Sequence, residues 1–190
     1  MIKKIWAVIL FLGIIVLSAC GENKETAMEL WNDYPVYPEG YQPEVKFHLS
    51  DGEWKSRLSP IQFDVLRSQK TEVACSGDFW DEHGTGTYYS AATGQPLFES
   101  KEKFDSGTGW PSFFQPVNKE ALILRWDLSY GMKRIEVLDS SSGSHLGHVF
   151  DDVGNKKLRF CINSASLIFV PSGENPPPLV LSYAASIGQR

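Results

Sequence analysis

The chain has 190 residues, of which 42% are hydrophobic and 22% are charged, and its formal net charge is −5. This is the composition of an ordinary globular protein, long enough for one sizeable core and short for two. The acidic balance argues against a nucleic-acid partner, because proteins that bind nucleic acids present basic surfaces to the phosphates.

The N-terminal segment differs from the rest of the chain. Two early lysines precede an uncharged apolar run of fifteen residues, "IWAVILFLGIIVLSA", and Cys20 follows directly. The run is short for a membrane span and is typical of an export signal. The junction "LSAC" resembles the lipobox of bacterial lipoproteins, which predicts a signal peptide over 1–19 and lipid on Cys20. A signal anchor that stays attached is the alternative.

The lipobox resemblance implies an exported, extracytoplasmic lipoprotein that faces the periplasm or lies at the cell surface, anchored to the membrane. Removal of residues 1–19 takes away two lysines and no acidic residue, so the net charge of the mature protein becomes −7. Export into an oxidising compartment makes a disulfide possible. With Cys20 carrying lipid, the three cysteines of the chain leave one possible internal pair, Cys75 and Cys161.

The remaining chain predicts one mainly β domain. Residues 20–50 are polar and punctuated by proline, and we interpret them as a tether with some local structure. Apolar residues near helical spacing in "DGEWKSRLSPIQFDVLRSQ" predict two short helices divided by Pro60. From about Tyr88, short β-like runs alternate with turn residues, which indicates antiparallel strands. We expect the domain to cover 51–172 and an extended tail to cover 173–190.

One cysteine lies inside a predicted strand, in "KLRFCINSAS". Successive side chains of a strand alternate between its two faces, so Phe160 and Ile162 are expected to face the core. Arg159, Cys161 and Asn163 then share the opposite face. A lone cysteine is often a small buried hydrophobe, but the polar neighbours on its face indicate a chemical role for Cys161.

Two of the chain's four histidines, His145 and His148, lie three residues apart in "HLGHVF". In a regular strand this offset places them on opposite faces. Both serve one site only if Gly147 bends or bulges the backbone. A metal site is the alternative, although two histidines supply too few ligands for a typical zinc site and the chain has no Cys-x-x-Cys pair.

The stretch "FDSGTGWPSFFQP" places small residues before Trp110 and a proline after it, which predicts a tight, exposed aromatic corner. A tryptophan in this position can simply cover the core. Beside a reactive thiol, it can also form a pocket for an apolar group such as a thioether methyl.

Five blocks, taken in order, resemble the type B family of methionine sulfoxide reductases, which act on the R epimer of the sulfoxide. The blocks are "WKSRLSPIQFDVLRSQKTE", "GTYYSAATGQPLFES", "KFDSGTGWPSFF", "RIEVLDSSSGSHLGHVFDD" and "LRFCINSASLIF". The resemblance runs from about Trp54 to Phe169. It implies two antiparallel sheets with short N-terminal helices, and an enzyme that reduces methionine-R-sulfoxide in oxidised proteins.

Carried over by motif, the resemblance makes Cys161 the nucleophile. The residues that it places around the sulfoxide or in the substrate pocket are His145, His148, Asn163, Arg159, Trp110 and Phe113. A nearby positive charge is expected to make the thiolate of Cys161 available. A histidine would protonate the sulfoxide oxygen as a general acid, and methionine would leave Cys161 as a sulfenic acid.

The chain departs from the family where many members carry a resolving cysteine, because that position is Thr108. Cys75, in "TEVACSGDFW", is then the remaining thiol that can condense with the sulfenic acid. The prediction is a Cys75–Cys161 disulfide that a thioredoxin-like partner reopens. A loop cysteine with no partner is the alternative reading of Cys75.

A second departure concerns the structural zinc that many family members bind through two Cys-x-x-Cys pairs. The matching positions are Ser90, Thr93, Asp139 and Ser142, so we expect neither zinc nor another cofactor.

Two competing functions remain open at this point. A thiol peroxidase or disulfide oxidoreductase would also use an exported reactive cysteine, although an aromatic pocket has no use for peroxide. A non-catalytic lipoprotein that keeps the fold is the other.

Overall fold

The computed structural model of the chain describes residues 34–155 and 157–188, and the predicted signal peptide and Cys20 lie outside these ranges. The described helices are α1 (Asp51–Arg57), α2 (Pro60–Ser68) and α3 (Pro178–Ser186). The described strands are β1 (Val36–Tyr37), β2 (Gly86–Ser90), β3 (Pro96–Glu99), β4 (Lys103–Phe104), β5 (Ser112–Phe113), β6 (Leu122–Asp127), β7 (Arg134–Asp139), β8 (His145–Phe150), β9 (Arg159–Ile162) and β10 (Leu167–Pro171). None of these helices is long and apolar enough to span a membrane.

The strands form two sheets. Seven strands make one sheet in the order β1-β6-β7-β8-β9-β5-β4, and three make the other in the order β10-β2-β3. Every pair is antiparallel except β1 with β6, which run parallel. The predicted mainly β fold with two sheets is therefore confirmed, with one short parallel edge strand that the sequence pattern did not indicate.

The two N-terminal helices begin where the sequence predicts. At each start the side chain of a serine, Ser50 or Ser59, accepts a hydrogen bond from the backbone N–H three residues on. The side chain of that later residue accepts a hydrogen bond from the backbone N–H of the serine. These reciprocal capping boxes satisfy backbone N–H groups that the first turn leaves free. Pro60 opens α2 at a position where its missing N–H costs nothing. The proline therefore separates two helices instead of kinking one.

Large aromatic residues from both sheets and from α1 form the core. The fully buried rings belong to Trp54, Tyr88, Phe98, Phe113 and Phe160. Burying each such side chain is worth roughly 1.5–3 kcal/mol relative to leaving it exposed.

The position of Phe113 differs from the one that the sequence predicts. We expected it to line a substrate pocket, but its ring stacks on Phe98 with centroids 4.3 Å apart and has no exposed surface. The reason is strand alternation, since Ser112 on β5 pairs with Cys161 and its neighbour Phe113 must face the other way.

The predicted tether is wrong for residues 34–50, because they pack on the domain. Strand β1 pairs with β6. Arg125 donates a hydrogen bond to the carbonyl oxygen of Tyr41 at 2.7 Å, and the N–H of Phe47 donates to the carbonyl oxygen of Ser141 at 2.9 Å. The folded unit therefore begins before Asp51.

The predicted extended tail is also wrong. Residues 178–186 form α3, and its Val180 is buried. The hydroxyl of Tyr183 lies 3.2 Å from Gln95 Oε1, and Lys46 donates to the carbonyl oxygen of Ser186 at 2.8 Å. The prolines of "ENPPPLV" start the helix instead of extending the chain, because proline fits the first turn.

Candidate active site

The sheet holds Cys161 in the middle of three neighbouring strands. On β9 it lies directly opposite His148 of β8 on one side and Ser112 of β5 on the other. Directly opposed residues of antiparallel strands have Cβ atoms roughly 4.5–5.5 Å apart. The thiol therefore has two fixed neighbours that belong to distant parts of the sequence.

A small cavity of about 150 Å³ opens beside Cys161. Its walls are Thr71, Trp110, Arg134, Gly147, His148, Phe150, Cys161, Ile162 and Asn163. The cavity thus brings together four of the predicted site residues, namely Cys161, His148, Asn163 and Trp110. Its aromatic and aliphatic walls suit an apolar group, and its polar walls suit an oxygen.

A bulge in β8 brings the two predicted histidines together. Val137 of β7 pairs with Gly147, but the next residue, Leu138, pairs with His145, so β8 holds one extra residue. The ring centroids of His145 and His148 are 5.3 Å apart. Gly147 is required here, because a Cβ at this position would lie 2.0 Å from the carbonyl oxygen of Cys161. A bulge that the sequence left open is therefore present, with Leu146 as the extra residue beside Gly147.

His148 is held by a carboxylate that sequence reasoning missed. Its Nε2 lies 2.8 Å from Asp127 Oδ2, and the same oxygen accepts a bond from Arg134 at 2.6 Å. Burial raises the pKa of Asp127, but hydrogen bonds from Ser129 and His148 outweigh it and hold the pKa well below its usual range. The carboxylate is therefore ionised at neutral pH.

Burial lowers the pKa of His148, although the hydrogen bond to Asp127 opposes it. The imidazole is therefore neutral at neutral pH. Since an ionised carboxylate only accepts hydrogen bonds, Nε2 carries the proton and Nδ1 carries the lone pair. In this state His148 is ready to accept a proton and not yet to donate one.

His145 lies behind His148 and does not line the cavity. Its Nδ1 is 2.8 Å from Glu136 Oε1, and Glu136 also pairs with Arg125 at 2.6 Å. Burial raises the pKa of Glu136, but the hydrogen bonds and charges of His145 and Arg125 lower it overall. His145 Nε2 is buried and has no hydrogen-bond partner among the described residues. His145 is thus part of a buried hydrogen-bonded row with Glu136 and Arg125.

The pKa of Cys161 corrects a second expectation. We expected a nearby positive charge to make the thiolate available, but burial raises the pKa of the thiol above its ordinary value. The charge of Arg159 and the hydrogen bonds from Thr108 and Ser112 offset only part of this rise. Arg159 is itself occupied, since it donates to both oxygens of Asp152 at 2.9 and 2.5 Å. The resting thiol is therefore protonated.

Glu72 is a second residue that sequence reasoning missed. Its backbone N–H donates to Asn163 Oδ1 at 3.0 Å, and its carbonyl oxygen accepts from Trp110 Nε1 at 3.2 Å. Its carboxylate accepts the backbone N–H groups of Ser164 and Ala165 at 2.5 and 2.8 Å. One buried residue thus fixes two walls of the cavity. It lies in an irregular stretch, where no periodicity points to it.

The positions of Asp127 and Arg134 in the sequence could have predicted their ion pair. They end and begin two apolar runs, "LILRWD" and "RIEVLD", that predict a hairpin. Residues that flank a hairpin turn face each other across the strands. An opposed pair of charges at that point predicts an ion pair.

Cys75 is exposed and lies just outside the cavity wall. Its N–H donates to the carbonyl oxygen of Gly109 at 2.9 Å, and a Cβ on Gly109 would lie 2.8 Å from Cys75 Sγ. Gly109 lies in the chain between Thr108, whose side chain hydrogen-bonds to the Cys161 thiol, and Trp110, which lines the cavity. Both cysteines of the described part are free thiols.

The four positions that match zinc ligands in the family form one buried hydrogen-bonded cluster. Asp139 Oδ2 accepts the hydroxyls of Ser90, Thr93 and Ser142 at 2.6, 2.9 and 3.1 Å. Burial raises the pKa of Asp139. Three hydroxyls and one carboxylate that is already saturated do not suit zinc, which prefers thiolate and imidazole. In the described ranges, no group of three or more His, Cys, Asp or Glu is arranged to hold a metal ion.

Comparisons with known proteins identify the family of the chain. Residues 58–171 match the family model described as the SelR domain. Over 123 residues the chain is 53% identical to a peptide methionine sulfoxide reductase MsrB of Thiobacillus denitrificans, covering 64% of this chain and 93% of that protein. It is 49% identical over 121 residues to a protein of the same name from Leptospira interrogans, covering 63% and 92%.

The chain belongs to the SelR family, the type B peptide methionine sulfoxide reductases. It is an enzyme, a peptide-methionine (R)-S-oxide reductase, and it acts on oxidised protein substrates.

Proposed function

We propose that Cys161 reduces the sulfoxide by direct attack and is regenerated through Cys75 and an external dithiol. The observation that carries this proposal is the single cavity of about 150 Å³ shared by Cys161, His148, Asn163 and Trp110. One small space thus holds a nucleophile, a proton carrier, an amide donor and an aromatic wall.

The substrate enters with its S-methyl group against the apolar wall. Trp110 and Phe150 supply aromatic surface, and thioether sulfur makes favourable contacts with aromatic rings. The sulfoxide oxygen then lies on the polar side, near His148 and Asn163. A positioned hydrogen-bond donor stabilises charge that develops on this oxygen during the reaction.

The proton for the oxygen comes from the thiol by way of His148. The protonated Cys161 and the neutral His148 lie opposite each other on paired strands. His148 Nδ1 accepts the thiol proton, the thiolate sulfur attacks the sulfoxide sulfur, and the new imidazolium protonates the oxygen. The protonated oxygen then passes from the methionine sulfur to the sulfur of Cys161, as one S–O bond breaks and the other forms. Methionine leaves with the electron pair of the sulfur–sulfur bond, and Cys161 is left as a sulfenic acid.

Cys75 then attacks the sulfenic sulfur of Cys161, which forms the disulfide and releases water. The supporting observations are that Cys75 is exposed and that it lies against Gly109, beside the cavity wall. A dithiol of the thioredoxin type attacks this disulfide and becomes oxidised itself, which returns both cysteines to thiols. The cycle consumes one dithiol for each sulfoxide.

Two further proposals concern the whole protein. The "LSAC" junction supports an exported protein that is anchored to a membrane by lipid on Cys20. The donor chemistry around Asp139 supports a fold that needs no structural zinc and no other cofactor.

The proposed cycle is tested with Cys75→Ser and one equivalent of N-acetyl-methionine-R-sulfoxide amide. Methionine release in the first turnover should persist, whereas steady turnover with thioredoxin should fall. Cys161→Ser should abolish both, and the S epimer should not react with the parent enzyme. Full thioredoxin-driven turnover of Cys75→Ser would contradict the disulfide, as would a parent enzyme that shows no intramolecular disulfide by mass spectrometry after oxidation by substrate.

A further inference from the structure

Three apolar side chains are exposed on the turn between β6 and β7. Leu128 is 46% exposed, Tyr130 is 89% exposed and Met132 is 43% exposed. We call these three residues the apolar rim. A single exposed apolar residue needs no explanation, but three within five residues form a patch.

The turn holds the rim in a defined shape. Met132 N–H donates to the carbonyl oxygen of Ser129 at 3.1 Å, and Ser129 N–H donates to Asp127 Oδ1 at 2.9 Å. Tyr130 has a φ of 55°, in the left-handed region that bulky residues rarely adopt. Its ring gains little burial in return for this backbone conformation. Strain of this kind is concentrated at sites that bind something.

Both ends of the turn belong to the active site. Asp127 precedes the rim and holds His148 at 2.8 Å. Arg134 follows it, lines the cavity and donates to Asp127 at 2.6 Å. The rim is therefore continuous with the polar wall of the cavity.

The size of the cavity determines what must lie outside it. About 150 Å³ accommodates the end of one methionine side chain, since pockets for drug-sized molecules measure roughly 300–1,000 Å³. The main chain of a protein substrate and the side chains next to its oxidised methionine must remain at the surface beside the cavity. The apolar rim is part of that surface.

We propose that the apolar rim binds apolar side chains that flank the oxidised methionine, so that the enzyme selects sulfoxides in extended, apolar segments of oxidised proteins. Such segments are exposed when a damaged protein loosens. This inference rests on the sulfoxide reductase activity and not on the route by which Cys161 is regenerated.

The test compares two substrates on the full-length enzyme and on a variant with Leu128→Ser, Tyr130→Ser and Met132→Ser. One substrate is a peptide with leucine on both sides of methionine-R-sulfoxide, and the other is N-acetyl-methionine-R-sulfoxide amide. The variant should raise KM for the peptide about tenfold or more, because buried apolar contact is lost. The kcat for the peptide and both constants for the capped amino acid should stay unchanged.

Leu181→Ser is the matched control, because Leu181 is 54% exposed on α3 and is not a wall of the cavity. Leu181→Ser should change neither KM nor kcat for either substrate. An unchanged KM for the peptide would overturn the proposal, and so would an equal loss on both substrates, which indicates damage to the cavity itself. A higher KM for thioredoxin alone would assign the rim to the reductant, and a changed oligomeric state in gel filtration would assign it to a second copy; either result would also overturn it.

Discussion

At Cys161, burial and charge act on the thiol in opposite directions, and burial prevails. His148 shows the same balance, since burial keeps the imidazole neutral beside an ionised Asp127. A protonated thiol opposite a neutral imidazole is a pair that reacts when one proton moves between them. Because the thiolate is the form that attacks peroxide, a resting thiol that is protonated also disfavours a thiol peroxidase role for Cys161.

Arg159 is predicted to lower the pKa of Cys161 through its charge, so Arg159→Met should raise that pKa further. Alkylation by iodoacetamide requires the thiolate, so the rate for Cys161 rises with pH through its pKa. In Arg159→Met this rise should occur at higher pH than in the parent. The rate is measured by mass spectrometry of the peptide that contains Cys161. In Arg159→Lys, which keeps the charge, the alkylation rate should rise at a pH between those of the parent and Arg159→Met. A rise at lower pH in Arg159→Met than in the parent would be evidence against the role of Arg159.

His148 is predicted to matter more for chemistry than His145, because it lines the cavity and faces Cys161. Loss of a group that transfers a proton costs on the order of 10²–10⁴ in rate. His148→Ala should therefore slow single-turnover sulfoxide reduction by about 10² or more, and His145→Ala should slow it less. Rapid-quench measurement of methionine release checks this order. An equal or reversed order would exclude His148 as the proton carrier.

Two local features of the sheet arrange side chains that are distant in sequence. The bulge in β8 brings the rings of His145 and His148 to within 5.3 Å of each other, whereas a regular strand would place them on opposite faces. At the end of β7, the Asp139 cluster joins the start of the turn after β2 to the turn before β8. Hydrogen bonds thus connect these two turns.

Asp139→Ala should lower the free energy of unfolding by about 3 kcal/mol or more, because three hydroxyl groups lose their common acceptor and each buried unsatisfied group costs roughly 1–3 kcal/mol. Asp78→Ala, at an exposed aspartate, is the control and should change the free energy of unfolding little. Urea unfolding followed by tryptophan fluorescence measures both.

A chelator should leave the thermal midpoint of the parent enzyme unchanged if the Asp139 cluster replaces a metal. Stoichiometric zinc in the purified protein, or a midpoint that falls with EDTA, would contradict this role.

At the scale of the whole molecule, two described segments outside the range that matches the family model pack against the domain. Residues 34–50 and α3 lie outside the matched range 58–171, and they meet where Lys46 bonds Ser186. Tyr183 of α3 also reaches Gln95, next to the Asp139 cluster. These two segments therefore brace the side of the domain that holds the Asp139 cluster.

Cys20→Ala is predicted to release the protein from the membrane. Lipid on Cys20 supplies the proposed anchor, and several acyl chains hold a protein stably where one chain gives marginal binding. Fractionation of cells that express the variant should find it in soluble fractions, with sulfoxide reductase activity kept. Membrane attachment that survives the substitution, with the signal segment intact, would mean that the protein is held by another segment.

The sequence by itself determined the features that depend on near neighbours. The strand runs, the two helices divided at Pro60 and the shared face of Cys161 and Asn163 all follow from local spacing, and the order of the motifs indicates the family. These features need no knowledge of which strand lies beside which.

Only the tertiary structure decided the hydrogen-bond and ion-pair partners of the site residues. His148 meets Asp127 across 21 positions of sequence, and Glu72 meets Asn163 across 91. Arg159 is partly neutralised by Asp152, and burial outweighs the charge that was expected to activate Cys161. Pairing register and burial arise from the packed sheet as a whole, because a polar group's charge state depends on every group packed around it and not on its neighbours in the chain.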